Sequence, residues 1–153
     1  MQRSTLMVLV LFLPVVFIGC ATTGKAPAFE MREEIQAPGL DRESVFDLVA
    51  LWMADSYHSN KTVVESADRK RGRIVSSGVV TFSYMGTEQS CRYRMIVEAG
   101  DASVRVTYRD LDAFTMQGRT VMTDDVRDRI RPNLKRTTYS LYRFLATRGA
   151  AMR

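Results

Sequence analysis

Residues able to act as nucleophiles, bases or metal ligands are scarce in this chain. Among 153 residues there are two cysteines and one histidine. Cys20 follows Gly19 at the end of an apolar run, and Cys91 lies mid-chain between Ser90 and Arg92. A thiolate is a good nucleophile when it is exposed. Nucleophilic catalysis otherwise needs a Ser, Thr or Cys beside a base, usually His. The one histidine, His58, falls in the polar stretch Ser56-Tyr57-His58-Ser59-Asn60, where a solvated loop side chain is the plainer reading. Metal sites need several ligands together, and one His, one spare Cys and no acid-rich loop do not supply them. Asp124-Asp125 reads as negative charge matched to a helix N-terminus. There is no phosphate-binding loop and no dinucleotide fingerprint. The expectation is therefore no catalytic residue, no metal and no cofactor. One constellation remains: Arg92, Arg94, Arg105 and Arg109, recurring at even or near-even spacing in two strand-like runs.

The chemistry of Cys20 depends on what precedes it. Arg3 gives a positive start, and Leu6 to Ile18 (LMVLVLFLPVVFI) is an uncharged apolar run of 13 residues. A membrane-spanning helix needs about 20, so the run is short for a span and suits the apolar region of a signal peptide. It ends in Phe17-Ile18-Gly19-Cys20, which resembles the lipobox of bacterial lipoproteins. The resemblance implies cleavage between Gly19 and Cys20, transfer of a diacylglyceryl group to the Cys20 sulfur, and acylation of the new amino terminus. Several acyl chains anchor stably where one is marginal. Phe17 stands where lipoboxes usually carry Leu. An ordinary signal peptide cut nearby and an uncleaved anchor are the alternatives. Ala21 rather than Asp after the cysteine implies, by the sorting rule of enterobacterial lipoproteins, the outer membrane facing the periplasm.

Residues 1–19 are thus read as the leader and 20–28 as a lipidated tether. Ala21 to Ala28 (ATTGKAPA) is small, polar and broken by Pro27, as flexible linkers are. These eight residues reach at most about 26–29 Å, so the domain should sit close to the bilayer. With Cys20 lipidated, Cys91 has no disulfide partner.

Removing 19 residues leaves 134, enough for one domain with one core. The formal charge of +5 is mild and favours acidic surfaces such as anionic lipid. It is read as too scattered for nucleic acid.

Pattern supplies the elements that would position the arginines. Phe29 to Gln36 reads as a strand ended by Pro38-Gly39. Asp41 is a plausible N-cap for a helix from about Arg42 to Ser56, with Val45, Leu48, Val49 and Trp52 at helical spacing. Thr62 to Ser66 and Arg73 to Phe82 read as strands around a charged turn, with Gly78 a candidate bulge. Ser90–Ala99 and Ala102–Leu111 read as a hairpin turning at Gly100-Asp101. That turn sets Val97 against Val104, Met95 against Val106 and Tyr93 against Tyr108 on a buried face. It sets Arg92 against Arg109, and Arg94 and Arg105 beside them, on a polar basic face. Cys91 falls inward. Ala113 to Thr123 reads as a loop containing Gly118. From Asp124, the stripe Val126, Ile130, Leu134, Thr138, Leu141, Leu145 marks a second helix, kinked at Pro132 and ending before Gly149, with 149–153 a tail.

The fold class is then α+β, in the order β-α-β-β-β-β-α. A five-stranded, mainly antiparallel sheet carries two helices on one face. Its basic face stays open, and its edges leave strand pairing between copies open.

Ile35-Gln36-Ala37-Pro38-Gly39-Leu40, the helix ending in Leu51-Trp52, Val63-Val64-Glu65, Gly72-Arg73-Ile74-Val75 and Arg105-Val106-Thr107-Tyr108 resemble a bacterial domain of unknown function described as having a TATA-binding-protein-like fold. The resemblance covers residues 29–148. It supports the fold order and brings no catalytic signature. It does not bring DNA binding, because the TATA-binding protein uses two tandem copies and one fits here. Fold alone does not give function. The reading is a membrane-anchored envelope lipoprotein, acting as a non-enzymatic binding or assembly module. The arginine face would be its docking surface for an anionic lipid, a glycan or an acidic protein patch. A purely structural envelope domain, and an enzyme with an unrecognised site, are the competing readings.

Overall fold

The computed structural model describes residues 29–56 and 62–151. The elements are β1 (Met31–Gln36), α1 (Arg42–Ser56), β2 (Thr62–Asp68), β3 (Arg73–Tyr84), β4 (Thr87–Gly100), β5 (Ser103–Thr115), β6 (Gly118–Arg119) and α2 (Asp124–Ala151). The strands form one antiparallel sheet in the order β1-β5-β4-β3-β2, with β6 paired to β5. This is the expected α+β architecture with one further short strand.

Local chemistry explains both helices. The Ser44 amide donates to Asp41 Oδ1 at 2.8 Å, capping α1. That hydrogen bond stabilises the carboxylate and holds Asp41 below its usual range. Val45, Leu48, Val49, Trp52 and Met53 of α1 are buried. On α2 the buried stripe is Val126, Ile130, Leu134, Thr138, Leu141, Leu145 and Gly149. The helix is continuous across Pro132 and does not stop before Gly149. Gly149 serves close packing instead: a Cβ there would lie 3.0 Å from Leu40 Cδ1. The expected tail is helical as far as Ala151.

The core lies between these helices and the inner face of the sheet, built from Ile74, Met95, Val97, Val104, Val106 and Tyr108. One stack ties the layers together. Gly78 of β3 leaves room for the Tyr93 ring, whose hydroxyl would sit 2.3 Å from a Cβ at that position. Tyr93 meets Tyr108 edge-on at 5.5 Å between ring centres. The Tyr108 hydroxyl then pairs with Thr138 Oγ1 of α2 at 3.0 Å. Gly78 is thus a packing glycine and not a bulge; the irregularity of this ribbon lies between Val64 and Ser66 of β2.

The central hairpin keeps the expected faces but changes its pairing. Its turn is Asp101-Ala102, with Ala102 at φ 55°, so Gly100 pairs with Ser103. Val97 then faces Val106, Met95 faces Tyr108, and Arg94 faces Arg109. The expected register is displaced by two positions, which preserves which side chains point inward. Beyond Arg94 the register shifts again, because β5 carries an extra residue at Asp110, φ 56°, and Arg92 faces Asp112. The stretch expected as a loop from Ala113 is partly strand: β5 continues to Thr115 and turns back through β6.

Candidate functional site

The sheet brings the four arginines onto its open face, away from the helices. Arg92, Arg94 and Arg105 are exposed and Arg109 is half-buried. The same register also delivers carboxylates to that face. Arg94 Nη1 donates to Asp110 Oδ2 at 2.8 Å, and its Nε lies 3.3 Å from Glu65 Oε2. Arg105 lies 3.8 Å from Glu98, its cross-strand partner. Arg92 lies 3.9 Å from Asp112 and stacks over the Phe114 ring at 5.6 Å. Asp112 also accepts from Arg119 at 3.0 Å. Arg109 has no such ion pair among the described residues, and its Nε is buried without a hydrogen-bond partner there. The bulge at Asp110 and the irregularity at Glu65 are what place two of these acids. Exposed pairs of this kind are worth only about 0–1 kcal/mol each. Their consequence here is electrostatic: the face carries alternating charge and little net field.

A second cation-rich surface lies on the other layer. The last 25 residues, 129–153, contain seven Arg or Lys and no Asp or Glu. Since the whole chain is +5, everything before residue 129 sums to −2. The positive charge expected to be scattered is therefore concentrated on α2. Arg129 and Arg131 are paired with Asp125 and Asp128 at 3.8 and 3.5 Å. Lys135, Arg136, Arg143 and Arg148 are exposed and reach no carboxylate among the described residues. Beside them runs a groove of about 490 Å³ lined by Trp52, Arg136, Ser140, Arg143, Phe144 and Arg148. Trp52 Nε1 donates to Ser140 Oγ at 3.3 Å in its floor. Tyr139 also lines it and meets Tyr142 beside it on the helix surface, the two being 59% and 47% exposed with ring centres 5.9 Å apart. The buried stripe alone places α2; the run of cations without acids after Asp128 is the sequence signal for its charged surface.

Cys91 is buried, and burial pushes its thiol up to about 11. A thiol so held is a poor nucleophile. The Tyr108 hydroxyl is likewise raised by burial. Cys20, Gly19 and His58 lie outside the described residues. Among the described residues there is no group of three or more His, Cys, Asp or Glu suited to a metal ion. None of the described helices is long and apolar enough to cross a membrane.

This fold and these surfaces define an α+β domain whose likeness is structural. The family model described as a domain of unknown function (DUF4468) with TBP-like fold matches residues 32–113, and the chain belongs to that family. Two solved structures share the fold. One is a TBP-like protein from Parabacteroides distasonis ATCC 8503, at 10% identity and TM-score 0.67, covering 80% of this chain and 95% of that one. The other is a DUF4468 family protein from Bacteroides ovatus ATCC 8483, at 14% identity and TM-score 0.55, covering 78% and 85%. No curated protein matches the sequence.

Proposed function

We propose that this chain is an exported lipoprotein, cut between Gly19 and Cys20, lipidated on the Cys20 sulfur, and held at the periplasmic face of the outer membrane. The observation that carries this is the 13-residue apolar run ending in Gly19-Cys20, too short for a span and followed at once by a thiol. The first described element, β1, begins only at Met31, so a chain starting at Cys20 keeps every described element. The domain acts as a non-enzymatic binding or assembly module. Its docking surface for an acidic partner is the open sheet face with Arg92, Arg94, Arg105 and Arg109. Pairs worth so little individually can exchange their carboxylates for those of a partner.

Intact-mass analysis of the protein from its native cell tests the anchoring. The expected product lacks 19 residues and carries a diacylglyceryl group, with Cys20→Ser retaining the full leader. A bare Cys20 sulfur, or wild-type protein with its leader attached, contradicts the reading.

A further inference from the structure

We propose that the C-terminal half of α2 seats the domain on an anionic phospholipid surface, through Lys135, Arg136, Arg143 and Arg148, with Tyr139 and Tyr142 at the headgroup level. Three observations meet here. The first is charge: these four cations have no carboxylate partner among the described residues, and no acid follows Asp128 in the chain. An anionic bilayer supplies the missing counter-charges, and each cation near such a surface strengthens binding about fivefold.

The second is the character of the surface. A groove floored by Trp52 and Phe144 and flanked by Arg136, Arg143 and Arg148 offers charged donors above an apolar base. A headgroup phosphate can accept from the guanidinium donors, while amphipathic rings such as Tyr139 and Tyr142 place an apolar body and a polar tip at the interface. Arg148 itself lies over the Phe144 ring at 5.9 Å.

The third is where the chain enters the domain. Phe29 packs against the core, and its ring lies 5.8 Å from both Arg127 and Arg131 of α2. The first described residue thus lies against α2. A 28-residue helix is about 42 Å long, and an eight-residue tether reaches about 26–29 Å. An anchored domain can thus lay this helix along the bilayer and turn its open sheet face away. The orientation rests on the lipoprotein reading; the affinity of α2 for anionic lipid does not.

Vesicle co-sedimentation of a chain spanning residues 20–153 with Cys20→Ser separates the two. That chain retains every described residue. Wild type should bind phosphatidylcholine vesicles containing 30 mol% phosphatidylglycerol, on the order of tenfold or more tighter than pure phosphatidylcholine, and lose most of that in high salt. Arg136→Gln with Arg143→Gln should weaken binding about 25-fold, whereas Arg71→Gln, an exposed cation of the β2–β3 turn, should leave it unchanged. Circular dichroism and melting of both variants should match wild type. Binding equal on neutral and anionic vesicles, or anionic binding that the α2 variant leaves intact, overturns the proposal. So does self-association that the α2 variant abolishes, which would make a second copy the occupant. None of these outcomes bears on the native mass of Cys20, so the two readings fail independently.

Discussion

The open face of the sheet and the solvent face of α2 hold similar numbers of cations, yet they present different fields. Arg94 on the sheet is shared between Asp110 and Glu65, Arg105 faces Glu98, and Arg92 faces Asp112. On α2, Lys135, Arg136, Arg143 and Arg148 have no such neighbours among the described residues. The difference arises from geometry. A sheet places side chains from five strands on one surface, so acids distant in sequence return beside the arginines. A helix face is filled only by its own residues at three- and four-residue spacing, and after Asp128 this segment has no acids to offer. Counting arginines therefore misplaces the positive field, whereas asking which cations are unanswered locates it.

The comparison requires the two surfaces to stay on opposite layers, and the stack from Gly78 through Tyr93 and Tyr108 to Thr138 holds them there. Gly78→Ala drives a methyl into the Tyr93 ring. It should destabilise the domain by about 2–3 kcal/mol, as overpacking does, read by denaturant or thermal unfolding. A variant as stable as wild type would show that the stack yields freely. Next in size is the loss of vesicle binding on neutralising Arg136 and Arg143. The comparison can also be reversed. Asp110→Asn with Asp112→Asn removes acids that answer Arg94, Arg92 and Arg119. The sheet face should then gain affinity for anionic vesicles by a few-fold, with stability changed by less than about 1 kcal/mol. No gain would mean that local pairing is not what silences this face.

Much of the fold was legible in the sequence because local signals agreed. Asp41 as a cap and the Val45-to-Trp52 spacing gave α1 its observed bounds, and the stripe from Val126 to Leu145 gave α2. What escaped were positions where the backbone takes a left-handed conformation without glycine. Ala102 at φ 55° moves the hairpin turn by one residue, and Asp110 at φ 56° inserts the bulge. Each is uncommon for its residue type, and neither is marked by a Gly. The bulge decides the site, because it brings Asp110 beside Arg94 and Asp112 opposite Arg92. The arginine face could thus be placed from alternation alone, but the acids that answer three of its four arginines could not. Gly149 misled in the other direction: a residue that usually stops helices here lets α2 approach Leu40.

Trp52 is the only tryptophan in the chain and lines the groove beside α2, so its fluorescence reports which layer meets the lipid. With the unlipidated chain on anionic vesicles bearing a spin-label quencher at headgroup depth, Trp52 should be strongly quenched, and Arg136→Gln with Arg143→Gln should abolish that quenching. Emission unchanged while the protein is demonstrably bound would place another surface against the bilayer and contradict the assignment to α2.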